Sequence, residues 1–265
     1  MPAHNTQSQY FSGQGVVLLA TRNATTGEPE GFVTIGNVSA LALAVATTNL
    51  EHKESTTGAR GIDLRLTQEV NATVNMTIES LSQENLALGL YGTTTDVAQG
   101  TASEKTFASV KLGQIYSLDK IKVSTVSAEA NPSGTPTTLT VNENFRVNED
   151  AGSIYFMTAA EQTAAGAAET LTDEDEVKVT FDHAAQKQMD ALTTGQPERW
   201  LRFEGLNTAD GNKPVVIDVF RFAADPLQEL AMINEELANI AVEGSALADQ
   251  KRTTGSKYFR VQSLA

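Results

Sequence analysis

The feature that most constrains this chain is a long two-residue alternation between Gly61 and Glu79, GIDLRLTQEVNATVNMTIE. Its even positions are Ile62, Leu64, Leu66, Val70, Ala72, Val74, Met76 and Ile78, and its odd positions are Asp63, Arg65, Thr67, Glu69, Asn71, Thr73, Asn75, Thr77 and Glu79. Only Gln68 interrupts the rule. Side chains on a strand point alternately to its two faces, so the pattern demands extended chain with one apolar and one wet face. The run is several times longer than an ordinary strand of about 5–6 residues. One long bent strand satisfies it, as does a hairpin whose odd-length loop lies near Gln68 to Val70.

The flanking sequence supplies further strands and turns. VVLLA at 16 to 20 reads as a buried strand, RNATTGEPEG as a loop, and Gly36 to Thr47 as a strand with Leu41, Leu43 and Val45 opposite alanines. Residues 48 to 60 read as a charged, hydroxyl-rich loop. Ser82 opens a short helix that stops near Gly92, and the Thr, Ala and Gly segment from Gly92 to Ser103 reads as loop. From 113 to 183 the pattern changes to short strands between turn clusters, IKVSTVS, TLTV, FRV, SIYFM and VKVTF, which predicts a small inserted antiparallel β-sandwich. Beyond it, Arg199 to Glu204, Val215 to Phe222 and Asn239 to Ala248 read as strands. Between the last two, Asp225 as N-cap, Pro226 at the first position, Gln228 and the stripe Leu227, Leu230, Ala231 and Ile233 predict a helix. The chain ends in a basic, aromatic tail from 249 to 265.

Charge and composition narrow the function. A net charge of −14 over 265 residues opposes a protein that grips nucleic acid, which needs clustered Lys and Arg. The absence of cysteine removes disulfides, thiolate metal sites and a cysteine nucleophile. No leader and no apolar run of membrane-spanning length stand in the sequence, so no membrane association is expected. His4, His52 and His183 stand apart without a helical i, i+4 partner, Gly13-Gln14-Gly15 precedes a strand and lacks the context of a phosphate loop, and the acidic run from Glu169 to Glu176 lacks the spacing of a calcium loop. Trp200 reads as a core or interface residue. No catalytic residues, cofactor or metal ligands are assigned, and the chain is not expected to be an enzyme.

Three blocks carry a resemblance in pattern and order. They are GFVTIGNVSALALA, the loop EHKESTTGARG leading into DLRLTQEVNATVNMTIESLSQENLALGLYG, and RWLRFEGLNTADGNKPVVIDVFRFAADPLQELAMINEELANIAVEGSALAD. Together with the Gly-x-Gly entry to the first strand, they resemble the major tail tube proteins of long-tailed, non-contractile (siphovirus-like) bacteriophages. The resemblance implies a mainly β fold, a tail-tube β-sandwich or barrel flanked by one α-helix, to which the strand pattern adds the small inserted β-sandwich-like domain. Residues 113–183 fall outside the resemblance, so with that stretch as the insert and 249–265 as a C-terminal arm, the tube domain is expected at 1–112 plus 184–248. The resemblance also implies hexameric rings stacked into a conduit for genome delivery in the virion tail, assembled in the host cytoplasm. The expected partners are further copies of the chain, the tape measure, tail terminator and distal tail proteins, and double-stranded DNA in non-specific passage.

On this reading the odd residues Asp63, Arg65, Thr67, Glu69, Asn71, Thr73, Asn75, Thr77 and Glu79 face the lumen. His52, Lys53 and Glu54, together with Lys251, Arg252, Tyr258, Phe259 and Arg260, are expected at subunit or ring contacts, as is the polar arm at 1 to 15. Inner tubes of contractile tails and type VI secretion are similar. A capsid decoration or adhesin-like sandwich shares the strand pattern, and a glycan-active enzyme would need a privileged carboxylate pair that the sequence does not offer.

Overall fold

The computed structural model describes residues 10–56 and 58–264. In chain order the elements are β1 (Gly13–Arg22), β2 (Pro29–Thr34), β3 (Val38–Lys53), β4 (Ile62–Ile78), α1 (Gln83–Leu90), β5 (Thr93–Val97) and β6 (Gly100–Phe107). They continue with β7 (Ile115–Ser117), β8 (Val123–Ala130), β9 (Thr137–Leu139), β10 (Phe145–Asn148), β11 (Ser153–Phe156), α2 (Ala159–Ala165) and β12 (Val177–His183). The last are β13 (Gln186–Asp190), β14 (Glu198–Asn207), β15 (Lys213–Ala224), β16 (Ile240–Ala246) and β17 (Phe259–Ser263). The fold is mainly β, and its sheets are antiparallel.

The chain forms two compact units, one from residues 1–94 and 189–265 and one from 95–188. The insert is therefore wider than 113–183. The segment read as loop after Gly92 contains β5 and β6, and β6 is an edge of the insert's own sheet, paired with β12 from Val177↔Phe107 to His183↔Gly100. Its threonines suit a pleated surface, and its outward side needs no apolar residues to mark it.

In the first unit one eight-stranded sheet runs β2-β1-β14-β15-β16-β4-β3, with β17 added on β15. Val17 of β1 and Leu43 of β3 line one cleft of about 410 Å³. Flat, those strands would lie five spacings of about 4.8 Å apart, so the sheet curls strongly on itself. Inside the curl Val17, Leu19, Val74, Met76, Ile78, Leu201, Val219, Phe222, Ile240 and Val242 form the core. α1 closes one end of it. Ser82 caps that helix, and buried Asn85 donates to Ser80 O (2.7 Å) at the turn from β4 into the helix and to Ile35 O (2.9 Å) in the β2–β3 connection, satisfying both carbonyls.

A smaller apolar cluster of Ala20, Trp200 and Phe220 lies on the other face of the sheet, where the Trp200 and Phe220 rings meet edge to face at 5.1 Å. Trp200 is thus a core residue, and its Nε1 donates to Asp218 at 3.3 Å. Asp218 is fully buried and also accepts from Arg202 (3.1 Å) and Arg260 (2.8 Å). A second network joins Arg221 to both oxygens of Glu198 (2.8 and 2.6 Å) and Arg22 to Asp249 (2.9 Å).

The inserted unit packs β10-β11-β7 and β6-β12-β8-β9 around Phe145, Ile154, Phe156, Leu171, Val177 and Val179. α2 follows, with Thr158 and Glu161 forming a capping box. This helix escapes sequence reading because its seven residues are largely alanine and show no apolar stripe. Within it, buried Gln162 donates to Met157 O and Leu171 O and accepts from Leu171 N–H and Asn144, all at 2.9–3.0 Å.

Three further expectations are corrected. The helix from Asp225 is absent, and residues 225–239 form an irregular connection between β15 and β16. Leu227 and Leu230 pack on the core, but Met232, Ile233 and Leu237 are 83%, 97% and 93% exposed, so the second half of the segment has no surface to fold against. The segment from 249 is no free arm. It carries β17, which pairs with β15 from Val215↔Ser263 to Val219↔Phe259. Finally, the loop at 48 to 60 is half strand, since β3 continues to Lys53.

Candidate assembly surface

The long alternating stretch is a single strand. β4 pairs with β3 along nearly its whole length, from Val38↔Ile78 to Lys53↔Ile62, and with β16 only from Ile78 to Ala72. Residues 62 to 71 therefore lie beyond the sheet in a two-stranded ribbon roughly 30 Å long, each strand with its outer edge unpaired. Two strands alone are marginal in water, and open edges invite further pairing.

The ribbon does not keep one wet face. Thr48 lies opposite Glu69 and Asn49 opposite Thr67, which makes Gln68 an extra residue, a β-bulge. With a period of two, an added residue exchanges the faces of everything beyond it. On the inner side Ala72, Val74, Met76 and Ile78 point into the core, sharing that face with Leu43 and Leu41 of β3. Their odd neighbours Asn71, Thr73, Asn75 and Thr77 turn outward opposite Ala46, Ala44, Ala42 and Ala40. Beyond Gln68, Thr67 and Arg65 pass to the core-side face. There Thr67 donates to Asn49 Oδ1 at 3.1 Å, and Arg65 lies 3.6 Å from Glu51.

Leu66 and Leu64 move to the outward face beside Leu50 and His52. Asp63 is a second extra residue, between the pairs Leu64↔His52 and Ile62↔Lys53, and it bonds His52 Nδ1 at 2.6 Å. The nine odd residues expected on one wall are thus divided. Glu69, Asn71, Thr73, Asn75 and Thr77 share the outward face, Thr67 and Arg65 the opposite one, and Asp63 sits in a bulge. Glu79 lies past the strand, where its carboxylate accepts from the Asn37 amide and its N–H donates to Asn37 O at 2.9 Å.

The outward face of the inner half is smooth. Ala241, Glu243 and Ser245 of β16 lie opposite Thr77, Asn75 and Thr73 and extend it by one strand. Small neutral side chains dominate this three-stranded wall, whose charged groups are Glu69 and Glu243. The ribbon itself is apolar and uncovered. Leu50, Ile62, Leu64 and Leu66 are 50–55% exposed, and Val45 and Val70 are close to that.

The expected contact residues divide too. His52, Lys53 and Glu54 stand at the free end of the ribbon, with Glu54 N–H bonded to Gly61 O at 2.8 Å across the turn and its carboxylate accepting from Thr56 N–H at 2.9 Å. Lys251, Arg252, Tyr258, Phe259 and Arg260 are engaged within their own chain. Lys251 Nζ donates to the carbonyls of Ala24 and Thr25, and the Arg252 guanidinium lies over the Phe220 ring at 3.7 Å. Tyr258 O accepts from Phe220 N–H at 3.0 Å, Phe259 packs on the core and Arg260 binds Asp218. The basic tail meets acid in its own body because β17 brings Arg260 directly opposite Asp218. The arm at 1 to 15 lies outside the described residues as far as residue 9, and the rest of it leads into β1, with Ser12 bonded to Asn207 at 2.9 Å.

Electrostatics in this unit is structural. Hydrogen bonds from Arg221 hold the Glu198 carboxyl below the usual range against partial burial, and the same pairing raises Arg221. Glu204 and then Asp218 raise Arg202. His52 and His183 lie in separate units, with His183 Nδ1 3.1 Å from Ala184 O. No helix among the described residues is long and apolar enough to cross a membrane. The family model described as protein of unknown function UCP028589 matches residues 10–262, and no curated protein matches the chain by sequence.

Proposed function

The chain thus belongs to the UCP028589 family of proteins of unknown function, and we propose that it is a structural tube subunit, the major tail tube protein of a siphovirus-like phage. The observation that carries this reading is the β3–β4 ribbon. Its unpaired edges and half-exposed leucines are unfavourable in an isolated chain; the edges are relieved when neighbouring copies continue the sheet, and the leucine face when another copy covers the ribbon's free end. Closure into a ring removes the edges altogether. Six copies giving four strands each make a barrel of 24 strands, with a circumference of about 115 Å and a diameter of about 37 Å before tilt widens it, enough for duplex DNA.

In this proposal the outward wall of alanines, Asn71, Thr73, Asn75, Thr77, Glu69 and Glu243 lines the lumen. A wall without cations releases no counterions when DNA passes, so transit is neither sticky nor strongly salt-dependent. The bonds within the tail, from Lys251 to Arg260, fix the outer layer behind that wall. Electron microscopy of the purified protein is the direct test. Rings or tubes about a hollow axis are expected, and a monomer at all accessible concentrations refutes the proposal.

A further inference from the structure

Two apolar surfaces of the first unit are uncovered, and they lie at opposite ends of β4. One is the outward face of the ribbon's free end, with Leu50, Leu64 and Leu66. The other is the connection 225–239, which ends where Ile240 pairs with Ile78 and exposes Met232, Ile233 and Leu237. The local sequence of that connection encodes a helix, with Asp225 to cap it, Pro226 in its first position and Leu230, Ile233 and Leu237 spaced as one stripe. A helix of this length is marginal without a packed face, and the subunit's own core reaches only Leu227 and Leu230.

We infer that residues 226–238 fold into a helix on assembly, laying Ile233 and Leu237 against the free ribbon end of an adjacent copy. This rests on the self-assembly reading above. The subunit's own ribbon is out of reach: Val70 lies eight residues, roughly 26 Å, along β4 from Ile78. The connection is also tied at both ends, by Asp225 N–H to Glu243 O (2.8 Å) and by the Ile240–Ile78 pairing.

Charge and size favour another copy as the occupant. The segment carries Glu229, Glu235 and Glu236 and no cation. At the ribbon end Lys53 and Arg60 have no acidic partner among the described residues. A 13-residue helix is about 20 Å long and fits within the roughly 30 Å ribbon. Because the two surfaces differ, the contact is head to tail and propagates from copy to copy in one direction.

The absence of cysteine makes the test clean. Single variants Ile233→Cys and Leu66→Cys of the full chain are mixed, assembled and oxidised, and a disulfide-linked pair of one copy of each is expected. In parallel, Asn234→Pro should keep the melting temperature of the subunit, since the residue is exposed and non-helical there. It should weaken assembly on the order of a hundredfold, whereas the helix-compatible Asn234→Ala should not. Rings or tubes that form without the 66–233 cross-link, or that form equally well with Asn234→Pro, overturn the inference and leave self-assembly standing. Absence of any assembled form removes self-assembly itself and this contact with it.

Discussion

Replacing Asp218 by asparagine should loosen the first unit and free its last strand. The Asp218 side chain is 1% exposed and serves three donors, Trp200 Nε1 at 3.3 Å, Arg202 at 3.1 Å and Arg260 at 2.8 Å. Asparagine keeps one acceptor oxygen for Trp200 and Arg202 but turns an amide nitrogen toward the donors of Arg260. A hydrogen bond to a charged group contributes about 1.5–3 kcal/mol, and the low end applies here because Arg260 is 45% exposed and regains water. The Arg202 bond falls from a charged to a neutral acceptor, a further loss of about 1 kcal/mol.

Together these give roughly 2.5 kcal/mol, which with a urea slope of about 3 kcal/mol/M lowers the unfolding midpoint by about 0.8 M. Trp200 is the single tryptophan and lies in the affected cluster, so its fluorescence follows the transition of this unit. Hydrogen exchange at residues 259–263 reads the strand directly. A midpoint shift below about 0.3 M, with β17 amides as protected as before, would show that Asp218 is not the anchor of the tail.

Two further substitutions test other networks. Glu198 is held below the usual carboxylate range by Arg221, so its contribution to stability is present above the unfolded value of 4.5 and is lost as pH falls through the lower folded value. Glu198→Gln should therefore destabilise most above about pH 5, and the difference from the parent should shrink in acid; a difference independent of pH contradicts the pairing. In the insert, Gln162→Leu leaves Met157 O, the backbone of Leu171 and the Asn144 amide short of partners. It should cost about 2–4 kcal/mol, seen as faster hydrogen exchange across β8, β11 and β12, and unchanged exchange there counts against the network.

Much of this architecture was legible because period-two patterns report burial directly. The strands at Val16 to Ala20, Val215 to Phe222 and Asn239 to Ala248 lie where alternation and turn residues place them, as does the Ser82-capped helix. Local signals failed where the decisive interaction was distant. The register shift at Gln68 depends on how β3 pairs, and one polar residue in an apolar stripe was its only trace in the sequence. The helix expected from Asp225 had every local signal and lacked a surface to pack on. β17 looked like an arm because nothing in FRVQS announces that Asp218 waits opposite Arg260. The insert's boundary was missed because the outward residues of β6 resemble loop composition.

The bulge at Gln68 has a mechanical consequence. A strand continuous from Ile62 to Ile78 is gripped on both sides over its last seven residues and on one side over the rest, with its ladder interrupted where the two regimes approach each other. Force applied to the free half passes along β4 through that interruption, as through the elbow of a crank. Twisting or pulling the outer half is then taken up at its bulges before it reaches the inner half, which keeps its smooth face in place.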